Sequence, residues 1–161
     1  KVRYDCNIPN RYHIVLLILK IKGFTMSHKV FISYDHSEDA RYKYLLQGWN
    51  NHPNFEFKFD NRSVIVPINS EDAGRVKAGI TLKMKEATHL LVIVGKLSHT
   101  SDWINWEIEK AKDLGLKLAA VKIDRAYNSP IGLLGVGTSW ATSFTEKQIT
   151  EALNSAVVGY E

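Results

Sequence analysis

The chain has 161 residues, of which 45% are hydrophobic and 24% charged, and these values are typical of one ordinary globular domain. A single cysteine excludes a disulfide framework and a cysteine-based zinc site. The formal net charge is +4, but the first 25 residues hold five basic side chains and one acidic one, so the remaining 136 residues are neutral overall. We therefore expect no nucleic-acid partner, because such binding depends on basic charge.

The first 25 residues contain one short apolar run, Ile14–Leu19. Six residues are too few to cross a bilayer as a helix, which takes about 20, and no small-residue cleavage site follows the run. We expect residues 1–25 to be an N-terminal extension, either packed on the domain or upstream of a natural start at Met26. Residues 26–161 are expected to form the domain, located in the cytoplasm and without a membrane partner.

From residue 28 onward, strand-like and helix-like segments alternate with short breaks. The predicted elements are strands over 29–34, 55–59, 88–95 and 116–123, and helices over 40–49, 74–87, 102–114 and 145–157. Strict apolar–polar alternation makes 55–59 an edge strand. In the first helix, Tyr44, Leu45 and Trp49 recur at helical spacing and are expected to face the core.

Two of these strands carry nearly continuous apolar runs, which are typical of parallel strands buried on both faces. Strands that alternate with helices predict an α/β fold of three layers, flavodoxin-like, with a central, mostly parallel five-stranded sheet and helices on both faces. Ligands of such sheets bind at the carboxyl ends of the strands. This rule selects the loops 35–39, 60–73, 96–102 and 124–143.

Several common motifs for phosphate and acyl chemistry are missing from these loops. The sequence has neither a G-x-G-x-x-G nor a Walker A loop, and no serine lies in a nucleophile elbow. The central strand ends in Gly95-Lys96 rather than in the aspartate of a phosphoacceptor domain. The segment Ser33–Ser37 has only part of the character of a flavodoxin phosphate loop, so a flavodoxin-like nucleotide binder stays open.

The strongest pair of candidate residues lies at the start of the helix over 102–114. Trp103 and Glu107 are four residues apart and therefore neighbours on one helix face, and Asp102 is placed to cap the helix. A ring one turn from a carboxylate suits a nucleotide, since the ring stacks and the carboxylate accepts hydrogen bonds from ribose hydroxyls. The spacing leaves a structural alternative open, in which Trp103 packs the helix and Glu107 pairs with Lys110.

The sequence resembles TIR (Toll/interleukin-1 receptor) domains, most closely the bacterial and archaeal TIR-like branch that includes the TIR subunit of the Thoeris anti-phage defence system. The resemblance covers residues 29–156. It rests on Val30–Tyr34 followed by Asp35 and by Ser37–Asp39, on Leu91–Gly95, and on Trp103-x-x-x-Glu107-Ile108 followed by Ala111 and Gly115. It implies the TIR form of the flavodoxin-like fold, with a strand near Ile131–Val136 and Trp140 before the last helix.

The resemblance also implies a set of site residues. In NAD-consuming TIR domains an essential glutamate lies in the helix to which Glu107 belongs, so Glu107 is the expected catalytic residue. Trp103 matches an aromatic residue one turn earlier. The first loop lines the nucleotide pocket in the family, which makes contacts with NAD expected from Ser33, Tyr34, Asp35 and Ser37, without a metal.

The implied activity is that of an NAD nucleosidase or cyclase that cleaves the nicotinamide–ribose bond. Its product would be ADP-ribose or a derivative that acts as a diffusible signal for a downstream effector in anti-phage defence. The family also associates through TIR–TIR contacts, so self-association is expected. The stretch 60–74, which corresponds to the family's assembly loop, is longer here and lacks the usual Pro-Gly turn. The alternatives are a non-enzymatic TIR-like scaffold for protein assembly and a flavodoxin-like nucleotide binder.

Overall fold

The computed structural model describes residues 28–52, 57–60 and 70–160. The expected N-terminal extension, residues 1–25, lies outside the described residues, and so does most of the loop 60–73. The division of the chain at residue 26 therefore stays a prediction. Within the described ranges, no helix combines the length and the apolar character that a membrane crossing requires.

One parallel sheet forms the centre of the fold. Its strands are β1 (His28–Ser33), β2 (Phe57–Asp60), β3 (His89–Val94), β4 (Lys117–Lys122) and β5 (Ser139–Ala141). Their order across the sheet is β2-β1-β3-β4-β5, and every neighbouring pair is parallel. All six residues of β3 are buried, as its continuous apolar run requires. The α/β fold is confirmed, and β2 is an edge strand as predicted.

The helices cover both faces of this sheet. They are α1 (Ala40–Asn50), α2 (Ala73–Lys85), α3 (Asp102–Asp113) and α4 (Glu146–Ser155). Leu46 of α1 and Ile149 of α4 pack with one face of the sheet, whereas Met84 of α2 and Ile108 of α3 pack with the other. The predicted three layers are therefore present, with one apolar cluster on each side of the sheet.

The carboxyl ends of β1 and β3 lie side by side where the strand order reverses. The chain crosses from β1 to β2 on one side and returns to β3 on the other, and Ser33 pairs with Val92 in the register. Side chains alternate along a strand, so Ser33 shares the face of Phe31, which packs with α2 and α3. Ligands of open α/β sheets bind at the carboxyl ends of the strands beside such a reversal point.

Two expectations about local structure are wrong. The strand expected near Ile131–Val136 is a short 3-10 helix over Ile131–Leu133, and β5 begins later. Burial explains the difference, because Leu133 inserts into the core while Ile131 is 77% exposed, so the segment lacks the alternation of a strand. In α1, Tyr44 and Leu45 are exposed although their spacing predicted an inward face.

The inward positions of α1 are Lys43 and Leu46. The Lys43 amine lies 5.7 Å from the centroid of the Tyr34 ring and 5.6 Å from that of Tyr44. A lysine stem can cover apolar surface while its amine stays near polar groups or aromatic rings. A prediction that counts only apolar residues therefore misses the inward position of Lys43. It assigns the inward face of α1 about one residue away from its actual place.

Gly115 ends α3 in a Schellman motif, as the sequence predicts. Its N–H donates to the Lys112 carbonyl, and the Leu116 N–H donates to the Ala111 carbonyl. Its φ of +69° lies in the left-handed region, which a Cβ disfavours. No atom lies within 4 Å of the place where a Cβ would stand, so the cost of a side chain there is purely conformational.

Gly115→Ala should therefore destabilise the protein by about 1–2 kcal/mol, the cost of the left-handed backbone. Gly79→Ala is the matched control, since Gly79 also has open space but lies inside α2 with helical geometry. There alanine should stabilise by up to about 1 kcal/mol. Urea unfolding of the two variants measures both effects, and shifts of the same sign would contradict this account of Gly115.

Candidate functional site

A carboxyl group occupies an inward position of α3. The buried positions of this helix are Ile104, Glu107, Ile108 and Ala111, which form the stripe that an amphipathic helix turns to the core. Glu107 is only 5% exposed. A buried carboxyl on an otherwise apolar face costs free energy and is rare without a functional or structural reason.

Burial changes the protonation of this group. It raises the pKa of the Glu107 carboxyl from its usual 4.5 to about 8, because the charged form loses its hydration. The nearby Ser33 hydroxyl opposes part of that rise in pKa. Ser33 is itself buried at the end of β1, so the contact joins α3 to the carboxyl end of β1. At neutral pH the free protein holds Glu107 mainly as the neutral acid.

The structural alternative for Glu107 does not hold. Lys110, its candidate partner, pairs instead with Asp113 at 2.7 Å. Within the described ranges no ion pair involves Glu107. The neighbouring Glu109 is 64% exposed and pairs with Lys112 at 2.7 Å. One helix therefore carries a solvated glutamate and a buried one two residues apart, and only the buried one faces the sheet.

The turn between β3 and α3 is fixed by two serines. The Gly95 N–H donates to Ser98 Oγ at 2.8 Å, and that hydroxyl donates to the Ile93 carbonyl at 3.2 Å. Ser101 then caps α3 by accepting from the Ile104 N–H at 3.4 Å. The sequence placed the cap at Asp102, which is instead the first helical residue. An acidic residue there still favours the positive end of the helix dipole.

Trp103 lies at the contact between α3 and α2. Its ring meets that of Trp106 edge to face, with centroids 5.7 Å apart, and the Lys77 amine lies 6.0 Å from its centroid. The residue is partly buried and packs against the apolar cluster of this face. Trp103 therefore packs α3 against α2, one helical turn before Glu107.

The first loop brings three further candidate residues to the end of β1. Asp35 accepts hydrogen bonds from the Ser37 N–H at 2.9 Å and from its hydroxyl at 2.5 Å, which closes a tight turn. The Tyr34 ring is partly buried, and the His36 ring stacks near it at 6.3 Å. Asp35 and Ser37 therefore shape the loop, whereas Ser33 and Tyr34 direct their hydroxyls into the protein.

Unsatisfied polar atoms concentrate at this edge of the sheet. Buried side-chain atoms are nearly always hydrogen-bonded in folded proteins. Seven buried atoms lack a hydrogen bond of normal geometry within the described part of the chain. Three of these lie at the end of β1 and in the loop that follows it, and two lie after β3, in the 3-10 turn and in α3. These five are Ser33 Oγ, Tyr34 Oη, Asp39 Oδ2, His99 Nδ1 and Asn105 Oδ1. This concentration indicates a site for a polar ligand.

Asp39, His99 and Asn105 are the members of this set that are not among the predicted site residues. Asp39 precedes α1 and resembles an ordinary capping residue, and Asn105 lies between two tryptophans in α3. No pattern in the sequence distinguishes a capping aspartate from one whose carboxyl turns inward. Within residues 28–52, 57–60 and 70–160, no cluster of three or more histidine, cysteine, aspartate or glutamate side chains is suited to hold a metal.

Comparison with protein families matches residues 31–128 to the family described as "Thoeris protein ThsB, TIR-like domain". The match spans about three fifths of the chain and contains all of the predicted site residues. The chain therefore belongs to this family, and the resemblance to the TIR-like branch is confirmed. A search of curated proteins found no match.

The protonation of Glu107 predicts how stability depends on pH. The folded state holds this proton more tightly than the unfolded chain, so the stability of the wild type falls as pH rises from about 4.5 to about 8. Glutamine cannot ionise. Glu107→Gln should therefore be more stable than the wild type above pH 8 by a few kcal/mol, and the two should converge toward pH 5.

Urea unfolding at several pH values between 5 and 9 measures this difference. Glu109→Gln is the control, because its carboxylate is exposed and its replacement should give no comparable gain at high pH. Equal stability of Glu107→Gln and the wild type at pH 9 would show that the Glu107 carboxyl is not buried as described.

Proposed function

We propose that this ThsB-type TIR-like domain cleaves the bond between nicotinamide and ribose in NAD, with Glu107 as the catalytic residue. The observation that carries the proposal is a buried carboxyl on the inward face of α3 beside the end of β1, with no ion pair to any residue that the structure describes. The surrounding unsatisfied polar atoms support a ligand rich in hydrogen-bonding groups. Family membership supports the class of reaction.

The chemistry asks little more than one carboxyl group. When the C1′–N bond of NAD breaks, its electron pair passes to the ring nitrogen and neutralises the cationic nicotinamide, which is a good leaving group. The ribose left behind has the character of an oxocarbenium ion, and a carboxylate close to it lowers the energy of that state. Water or a hydroxyl group then adds to C1′ and releases a proton.

Burial makes Glu107 suited to this task. Electrostatic attraction is stronger in a site from which water is excluded, and the cationic ring of NAD favours the ionised form of a nearby acid. In the free protein the pKa of the Glu107 carboxyl is raised to about 8. A bound cationic ring would lower that pKa and favour the carboxylate, and the carboxylate would in turn attract the ring. The adjacent Ser33 hydroxyl can donate a hydrogen bond to the carboxylate as it forms.

The remaining expectations belong to the same proposal. Ser33, Tyr34, Asp35, Ser37 and Trp103 contribute to binding NAD, directly or by shaping the first loop. The product is an ADP-ribose-derived nucleotide that carries a signal to a downstream effector in anti-phage defence, in the cytoplasm where NAD is available. The reaction needs no metal, and self-association of the domain accompanies activity.

Mass spectrometry of nucleotides after incubation with NAD tests the reaction. The wild type should consume NAD and release nicotinamide, whereas Glu107→Gln should be slower by about 100-fold or more. Glu109→Gln, two residues away and exposed, should retain the wild-type rate. Equal rates for the wild type and Glu107→Gln, or no turnover by either at high protein concentration, would favour the scaffold alternative.

The pH dependence of kcat/KM provides a separate test, because this quantity reports ionisations of the free enzyme. With Glu107 acting as a carboxylate of pKa about 8, kcat/KM should rise about tenfold per pH unit toward pH 8 and then level off. Initial rates between pH 6 and 9.5 measure the profile, after subtraction of spontaneous NAD breakdown. A flat profile across this range would contradict the role assigned to the ionised Glu107.

A further inference from the structure

Asp39 is a second buried carboxyl at the same edge of the sheet. It stands at the N-cap position of α1, yet its side chain makes no capping hydrogen bond, although aspartate is among the residues preferred for that role. Its backbone is anchored, since its N–H donates to the Asp35 carbonyl at 2.9 Å and its carbonyl accepts from the Tyr42 N–H at 3.0 Å. The side chain is 4% exposed.

The carboxyl group lies directly against Gly95, the residue that follows β3. A Cβ added to Gly95 would stand 2.5 Å from Asp39 Cγ and closer still to both carboxyl oxygens. The Asp39 carboxyl therefore fills the space of a missing side chain at the end of the central strand. Gly95 itself is fixed by the hydrogen bond of its N–H to Ser98.

Nothing in the described part of the chain compensates Asp39 Oδ2 with a hydrogen bond. Burial, followed by the negative charges of Asp35 and Glu38, raises the pKa of Asp39 to about 6, and Arg41 opposes only part of this rise. The Arg41 guanidinium is directed to Tyr42, whose hydroxyl accepts from it at 3.0 Å. A buried acceptor held in place without a donor costs free energy that a ligand can recover.

We propose that Asp39 is a substrate-binding residue, whose free Oδ2 accepts a hydrogen bond from a hydroxyl or amide N–H group of the dinucleotide. This inference rests on the proposed function. Gly95 directly follows β3 and Ser33 ends the adjacent β1, so Asp39 and the Ser33–Glu107 contact lie at neighbouring strand ends, where ligands of such sheets bind.

The two carboxyl groups, Asp39 and Glu107, differ in protonation because their environments differ. At pH 7 Asp39, with its pKa near 6, is mainly ionised and acts as an acceptor, whereas Glu107, with its pKa near 8, is mainly neutral before substrate binds. Different environments commonly separate the roles of paired acids in this way. NAD offers donors of both kinds, in its ribose hydroxyls and its carboxamide.

Four variants separate binding from packing. Asp39→Ala removes the carboxyl, and Asp39→Asn keeps its shape and one acceptor oxygen. Gly95→Ala introduces the colliding methyl group, and the double variant Asp39→Ala/Gly95→Ala removes the collision while filling the space. Gly79→Ala is the control glycine, because it has open surroundings.

Isothermal titration with NAD, in a Glu107→Gln background that prevents turnover, measures the dissociation constant. Asp39→Ala and the double variant should bind NAD about 10- to 100-fold more weakly, the loss expected for one hydrogen bond to a charged group. Asp39→Asn should lose less, and Gly79→Ala nothing. In the active background, Asp39→Ala should raise KM more than it lowers kcat.

Analogues identify the donor on the ligand. If the carboxamide donates to Asp39, nicotinic acid adenine dinucleotide, which lacks the amide, should bind Asp39→Ala as well as it binds the Asp39 protein. If a ribose hydroxyl donates, the analogue that lacks that hydroxyl should show this insensitivity instead. If nicotinic acid adenine dinucleotide and every analogue that lacks one ribose hydroxyl lose as much affinity as NAD does on Asp39→Ala, the proposal is overturned.

The outcomes distinguish this inference from the proposed function. A folded double variant with wild-type affinity for NAD would overturn the inference, because the Asp39–Gly95 contact would then be packing alone, and the proposed function would stand. Wild-type affinity in Asp39→Asn together with Asp39→Ala would have the same meaning. Failure of the wild type to bind and consume NAD would overturn both.

Discussion

The burial of Glu107 is the constraint on which the site depends. A carboxyl on the inward stripe of α3 occupies a position that an apolar residue would fill at lower cost, next to Ile104 and Ile108. Its polar neighbour is the Ser33 hydroxyl at the end of β1, and no cation within the described ranges pairs with it. Glu107 therefore lowers the stability of the fold, a cost that is common where a protein holds a group for chemistry, as we propose for this residue.

The surrounding fold places Glu107 near the edge of the sheet at which the strands end. Parallel strands place all their carboxyl ends at one edge, and the reversal of strand order separates the loops that follow β1 and β3. The first loop brings Asp39 onto Gly95, and the second leads through Ser98 into α3. Two buried acids, Asp39 and Glu107, therefore lie near this edge of the sheet on different segments. Their unequal surroundings give them unequal affinities for protons.

Membership of the ThsB TIR-like family gives this arrangement a context in Thoeris defence. Within the arrangement, the residues near the strand ends have different contacts. Asp35 and Ser37 bind each other and shape the first loop. Trp103 packs between helices while lying one turn from Glu107. Buried oxygens of Tyr34 and Asp39 lack a hydrogen bond within the described part of the chain, and we propose that they bind the nucleotide.

The amino-acid sequence by itself determined the α/β fold, the buried central strand, the end of α3 at Gly115 and the selection of Glu107 as a candidate site residue. Each of these follows from local patterns: apolar runs, helical spacing and a glycine after a helix. Only the tertiary structure decided that Lys43 rather than Tyr44 faces inward, that β5 begins after a 3-10 helix, and that the Asp39 carboxyl turns from its cap onto Gly95. These depend on which distant surfaces meet, and the free energy of such contacts overrides local preference.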